Sequence, residues 1–382
     1  MERPLRPNQR RILAFLGRSA PTSRADLGRE LGLPKATVAG LIAELVGLGL
    51  VTESAAGPDG TPGRPGRVVT LTGGAATIAV LSAYGDTLAA TIVTTAGEIR
   101  SRFVRDLPRT ESEIGAIEAM TEIIKRAVLP QPPPVVLSVA SPVPLPHHQT
   151  SAVGTAARRW EWIPTWLGSG FGARLSDWLG TEVLVENDAN LAALGELRYG
   201  SGRGRSDMVH LMLGEHSIGT GMVMGGRLIR GGAGLAGELA HVQVRANGRV
   251  CHCGGRGCLL ATITQELIEL AQPAYDEQLT FASVLRLAAT GDIGLQRVLA
   301  DVGRAIGRPL ADLCTMLNPS TVVLDGSVGP AGVHILRGLT DAIERYASPA
   351  MAAAATVTLG TLGDEAQTLG AVALLRDEWS RT

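Results

Sequence analysis

Three thiols stand within eight residues in the stretch Cys251-His252-Cys253-Gly254-Gly255-Arg256-Gly257-Cys258. The chain holds only four cysteines, so most of its sulfur chemistry is concentrated there rather than spread as a disulfide framework. Closely spaced thiolates suit Zn²⁺, and a structural zinc site needs four ligands in a tetrahedron. His241, ten residues upstream of Cys251, is the better candidate for the fourth. His252 is the alternative, although it points away if both of its neighbours ligate. Free or redox-active cysteines are the competing explanation, and the spacing favours metal. The expected cofactor is therefore a structural Zn²⁺ held by His241, Cys251, Cys253 and Cys258.

Two further motifs could do chemistry on a hydroxylated ligand. In Val185-Glu186-Asn187-Asp188-Ala189-Asn190 a strand end runs into a helix. A carboxylate there can accept a proton from a hydroxyl, and an adjacent amide can fix another. Taken alone, Asp188 is equally well explained as a helix N-cap. In Gly231-Gly232-Ala233-Gly234-Leu235-Ala236-Gly237-Glu238-Leu239-Ala240-His241, the glycines let backbone approach a ligand closely. Glu238 and His241 share a face if that turn is helical. Glycine-rich turns are common, so this motif is weak by itself.

The combination Glu-Asn-Asp-Ala-Asn, then Gly-Glu-x-x-His, then Cys-x-Cys-Gly-x-x-Gly-Cys resembles the ROK family (repressor, open reading frame, kinase), with its sugar kinases and its N-acetylglucosamine- and xylose-type repressors. The resemblance implies an actin/hexokinase-like body of two lobes with a sugar in the cleft. It implies that Asn187 and Asp188 contact sugar hydroxyls, with Asp188 at the catalytic-base position, and that Glu238 binds sugar. It implies that His241 both ligates zinc and borders the sugar, so that the metal props up the pocket wall.

Three departures from the family pattern bear on activity. Family kinases open the body with Asp-x-Gly-Gly-Thr, which holds phosphates and positions Mg²⁺. The corresponding stretch here is Ser82-Ala83-Tyr84-Gly85-Asp86. Asp has become Ser82, the first Gly has become Tyr84, whose ring would crowd a phosphate, and Thr has become Asp86, whose charge would repel it. Phosphoryl transfer is mostly positioning and charge neutralisation, so the expectation is no kinase activity. The zinc loop of the family ends Cys-x-Glu with that Glu on the sugar, whereas here Cys258 is followed by Leu259 and Leu260. A hydroxyll partner lost there costs on the order of 1–3 kcal/mol. Val143 replaces the family's Gly in Ser141-Pro142-Val143-Pro144, which again implies a reshaped pocket.

The elements upstream read as a winged helix-turn-helix. Residues 8–18 form a helix, Pro21 breaks it, and Thr22 or Ser23 caps a second helix carrying Leu27 and Leu31. Gly32-Leu33 makes the turn, and Pro34 starts a third helix at its first position. Val38, Leu41, Ile42 and Leu45 form its apolar stripe, while Lys35, Ala36 and Thr37 stand near its start, where a recognition helix reaches base edges. Gly40 inside that helix costs about 1 kcal/mol relative to Ala. Strands at 49–53 and 67–71 flank a Gly/Pro loop, 54–66. Arg64 and Arg67 there suit a narrow minor groove. The DNA-contacting set is thus Lys35, Ala36, Thr37, Arg64 and Arg67. This segment also resembles the DNA-binding head of the ROK family, through Leu33-Pro34-Lys35-Ala36-Thr37-Val38 and Gly63-Arg64-Pro65.

Charge agrees with that division. Residues 1–70 carry ten Lys or Arg against six Asp or Glu, and the remainder 25 against 30, so a basic head sits on a mildly acidic body. Strands expected at 77–83, 88–94, 135–140, 182–186, 208–213, 218–224 and 321–324 alternate with helices, which gives an α/β fold class. The expected organisation is a head at 1–73, a first lobe at 74–187 completed by a helix at 365–382, and a second lobe at 188–364 with the zinc loop and a dimerisation surface. The N-terminus lacks the apolar core of a signal peptide, and the apolar run at 77–93 is broken by Asp86, so a cytoplasmic protein is expected. The expected partners are an inverted-repeat DNA operator, a sugar or sugar derivative, and further copies of the chain as a homodimer or homotetramer. The reading is a sugar-responsive transcription regulator, a repressor without kinase activity. Its alternatives are an active sugar kinase with a DNA-binding head and a regulator with a protein effector.

Overall fold

The structure is a computed structural model that describes residues 6–16, 21–55, 67–72, 77–84, 86–94, 96–108, 110–128, 136–141, 166, 170–179, 183–215, 217–263 and 268–381. Contacts divide these into two compact units. One comprises the chain to Ala140, with stretches that end at Val185 and begin at Ala371. The other runs from Glu186 to Gly370.

The first unit opens with helices α1 (Pro7–Leu16), α2 (Arg24–Leu31) and α3 (Lys35–Gly47), and with strands β1 (Thr22–Ser23), β2 (Val51–Ala55) and β3 (Arg67–Leu71) in the order β1-β3-β2, all antiparallel. Ser23 is the cap of α2, accepting from the Asp26 backbone N–H at 3.2 Å, and Gly32 ends the helix with φ 65°. Pro34 is not the first helical residue. Its ψ of 144° is extended, so it occupies the cap position and α3 starts at Lys35, one residue later than the sequence implied. The expected stripe Val38, Leu41, Ile42 and Leu45 is buried, and Ile12, Leu13, Leu27, Leu50 and Val69 complete the core beneath it. Helix periodicity alone determines this packing, because each stripe has nowhere else to hide.

The same unit holds β4 (Thr77–Tyr84), β5 (Thr87–Thr94), β6 (Ile99–Asp106), α4 (Glu113–Val128), β7 (Val136–Ser141), α5 (Phe171–Leu179) and β8 (Val183–Asn187). The sheet order is β6-β5-β4-β7-β8, with β4 antiparallel to β5 and parallel to β7. Leu81, Leu88, Ile92, Ile117, Met120, Phe171 and Leu175 form one core between sheet and helices.

The second unit contains α6 (Asp188–Tyr199), β9 (Met208–Leu213), β10 (Ile218–Met224), β11 (Arg227–Leu228), the short α7 (Leu259–Thr262), α8 (Phe281–Ala289), α9 (Ile293–Leu317), β12 (Thr321–Leu324), α10 (Gly332–Tyr346), α11 (Pro349–Ala354), β13 (Thr356–Leu359) and α12 (Ala366–Arg381), which continues past the unit boundary. The sheet order β11-β10-β9-β12-β13 is parallel from β9 to β13 and antiparallel from β9 to β11. Its strand β12 is buried at every residue, which accounts for the continuous apolar run at Thr321–Leu324. No helix among the described residues is long and apolar enough to cross a membrane.

Candidate functional site

The ligating atoms of His241, Cys251, Cys253 and Cys258 all lie within 4.8 Å of one another. Cys253 Sγ and Cys258 Sγ are 3.7 Å apart, and Cys251 Sγ is 3.7 Å from His241 Nδ1. Around a tetrahedral Zn²⁺, standard bond lengths place two thiolates about 3.8 Å apart, and a thiolate and an imidazole nitrogen about 3.6 Å apart. The residues present therefore fit the ion. His252 is exposed and outside the cluster, so the geometry chooses His241 between the two histidines left open by spacing.

The chain builds this cluster by folding two segments together. Gln243 bridges to Cys258 and Val250 to Arg256, while the Cys251 N–H donates to the Gly255 carbonyl at 2.9 Å. The Gly255 N–H points at Cys253 Sγ at 3.4 Å, the kind of donor that stabilises a thiolate. Burial pushes the Cys258 thiol up to about 12 and raises that of Cys251 too. A dication at the centre would invert that preference. Burial, helped by the charge of His252, lowers the pKa of His241, keeping the imidazole neutral as a ligand must be.

Next to the cluster lies a pair of carboxyl groups. With Nδ1 of His241 turned to the thiols, its Nε2 faces Glu238 Oε2 at 3.7 Å. Glu238 precedes the 3₁₀ turn Leu239–His241, whose Leu239 and Ala240 are buried. Gly237, at φ 94°, lets this loop lie on β10, where an added Cβ would come within 2.2 Å of the Thr220 carbonyl oxygen. On the other side, Asn187 caps α6 by accepting from the Asn190 N–H at 3.1 Å, and Asp188 accepts from the Ala189 N–H at 2.7 Å. Gly221 of β10 admits the first turn of α6, since a Cβ there would fall 2.4 Å from the Ala189 carbonyl oxygen.

Burial pushes the Asp188 carboxyl up to about 7, against the lowering pull of the Ala189 N–H and with the charge of Glu238 adding to the rise. Burial alone holds Glu238 at about 7. Near neutrality the pair thus offers both a carboxylate acceptor and a protonated donor, which is what neighbouring ligand hydroxyls can use. Asp188 is therefore not the helix N-cap that the sequence allowed: Asn187 takes that position, and Asp188 is the first helical residue, with its carboxyl perturbed by burial.

Two residues without an expected role join this site. Glu186, buried at the end of β8, accepts from the Asn187 N–H and from Asn190 Nδ2, both at 2.9 Å. Its other oxygen takes Arg230 Nε at 2.8 Å and Nη2 at 2.7 Å. The available signal was a lone arginine directly before the glycine-rich loop and a glutamate inside a motif otherwise read for its amide and aspartate. Leu260, by contrast, is packed in the core with Leu239 and Ala240, and lines a narrow apolar cavity with Ile218, Ile263, Phe281 and Val302.

Elsewhere, Ser82 pairs with Ala89 and Ala140, Tyr84 pairs with Thr87, and Asp86 is exposed with its carbonyl accepting from the Leu107 N–H at 2.8 Å. This is a tight strand-to-strand connection. In the head, Lys35, Ala36 and Thr37 are all exposed at the start of α3. Arg67 is exposed as well, with Nη1 3.6 Å from Glu53, which Arg24 also holds through two contacts of 2.5 and 2.7 Å. Arg64 and Val143 lie outside the described residues.

Residues 81–378 match the ROK family, and residues 4–60 match the MarR family. A glucokinase of Halalkalibacterium halodurans is 33% identical over 212 residues, which is 51% of this chain and 64% of that enzyme, so less than two thirds of its length is spanned. A xylose repressor of Bacillus subtilis is 23% identical over 375 residues, covering 97% of this chain and 95% of that protein. The crystal structure of a ROK family transcriptional regulator, a homologue of the Escherichia coli MLC protein, superposes with a TM-score of 0.79 at 20% identity over 98% of this chain and 96% of its own.

Proposed function

The chain belongs to the ROK family, and from that premise we propose that it is a sugar-responsive DNA-binding repressor whose body senses rather than phosphorylates its ligand. In this reading residues 1–73 read the operator, and 74–187 with 365–382 form one lobe. Residues 188–364 form the other, and Asn187, Asp188, Glu238 and His241 grip a sugar. His241, Cys251, Cys253 and Cys258 hold Zn²⁺, which when bound fixes the loop that carries Glu238. The likeness to a xylose repressor over nearly the whole chain supports the head-plus-body reading.

The observation that carries the proposal is the closeness of Asp188 and Glu238, near enough that one charge raises the other's pKa, on a chain that also presents Lys35, Ala36 and Thr37 to solvent. Ligand hydroxyls that bridge the two carboxyls favour one arrangement of the body. Two copies of the chain place two heads on two half-sites, and that preference changes their affinity for DNA. The test is fluorescence anisotropy on the DNA upstream of the chain's own gene, with and without D-glucose, D-xylose and N-acetyl-D-glucosamine. One of these sugars is expected to release the DNA. Specific binding that no sugar alters would instead favour a protein effector.

Asp188 and the glucokinase relative keep a kinase reading in view. Ser82 and Asp86 argue against it, because neither neutralises a phosphate. ATP turnover with any of the three sugars, lost in Asp188→Asn, would overturn the sensing role.

A further inference from the structure

We propose that the buried Glu186–Arg230 pair is the positioning element that holds the two halves of the ligand site in register. The inference rests on the sugar-binding reading only for its consequence and stands geometrically without it. Glu186 is the penultimate residue of β8, the strand that ends at Asn187 and runs into Asp188, and its Oε1 accepts from the Asn187 N–H and Asn190 Nδ2. Arg230 stands at the root of the loop that delivers Glu238 and His241, and its guanidinium grips Glu186 Oε2 through Nε at 2.8 Å and Nη2 at 2.7 Å. The Arg230 carbonyl accepts from the Ala236 N–H at 3.0 Å, so the anchored residue also closes the loop on itself.

The side chains of Glu186 and Arg230 are only 8% and 17% exposed, so water screens the pair little, and two contacts to one carboxylate oxygen fix the guanidinium's position. A buried ion pair adds little net stability over an apolar pair of the same shape, because both charges lose their hydration. Its value here is geometric: it joins two segments distant in sequence at the point where the ligand must meet both.

The test is hydrogen exchange by mass spectrometry on the full chain, comparing wild type with Arg230→Met and Arg230→Lys. In Arg230→Met the amides of 231–241 are expected to exchange on the order of tenfold faster, while β9 and β12 keep their protection. Arg230→Lys, which retains charge but not the two-contact grip, is expected to fall between, and it serves alone if Arg230→Met does not fold. Loop exchange that is unchanged, or that rises only in step with β9 and β12, would reduce the pair to a generic core contact and overturn the proposal. Calorimetric titration with D-glucose, D-xylose and N-acetyl-D-glucosamine runs alongside. If wild type binds one of them, Arg230→Lys is expected to weaken it about tenfold. If wild type binds none, the sugar reading fails, while the exchange result still decides the tether.

Discussion

The start of α3 and the start of α6 are both helix N-termini to whose side chains the proposed function assigns roles, yet they are built in opposite ways. Lys35, Ala36 and Thr37 project into solvent from a helix anchored by Val38, Leu41, Ile42 and Leu45 on its other face. Function and stability are carried by different residues there. At α6, Asn187 caps the helix, Asp188 accepts a backbone N–H, and Glu186 beneath them is held by Arg230. In the proposed reading the same residues support the fold and bind the ligand. The head's recognition surface can therefore change without cost to folding, whereas the body's site cannot.

The largest expected effect is in the body. Cys253→Ser removes one of the four proposed ligands, and metal measured by plasma emission is expected to fall from about one ion per chain to a small fraction, with a melting temperature lower by several degrees. Full metal content in that variant would remove the cluster from the comparison.

Next is the pH dependence of stability. Asp188 has a folded pKa of about 7 against an ordinary 3.8, so the folded state binds its proton more tightly than the unfolded state does. Stability from this group is fully present below the ordinary value and is lost as pH rises through about 7. Allowing for solvent at a half-buried side chain, the loss by pH 8 is about 2 kcal/mol, and Asp188→Asn is expected to flatten it in melts between pH 5 and pH 8. An equal slope in wild type and variant would show that another group carries the effect.

In the head the effects shrink and separate. Lys35→Ala is expected to weaken DNA binding with no change in melting temperature, and to reduce the salt dependence of binding by about one phosphate contact. A fall in stability would mean that the two helix starts are not built differently after all. Smallest is Gly40→Ala. Gly40 is exposed and a Cβ there meets nothing within 4 Å, so the head is expected to gain about 1 kcal/mol in denaturant titration. If the variant also loses DNA affinity, the bare backbone at Gly40 is itself part of the contact.

How far the sequence reached can be read from particular residues. The apolar stripe of α3, a cap at Thr22 or Ser23 and a turn at Gly32-Leu33 were legible because helix period, capping and turn chemistry are local demands; the structure chose Ser23 and set Gly32 left-handed. Pro34 was misplaced by one residue because its fixed φ suits the cap position as well as the first turn. The pairing of Glu186 with Arg230 was not legible, since 44 positions separate them and nothing in either motif names the other.

The sequence by itself determined that three cysteines would stand close enough to suit an ion, that a basic head would precede an α/β body, and that Asp188 would stand at the start of a helix. Those follow from spacing and periodicity, which act over a few residues. Only the tertiary structure decided that His241 rather than His252 completes the cluster, that Leu260 faces the core, and that burial raises the proton affinity of both Asp188 and Glu238, with the charge of Glu238 adding to the rise at Asp188. Each of these depends on which distant segments meet and on how much water their meeting excludes, and neither is written in any one stretch of chain.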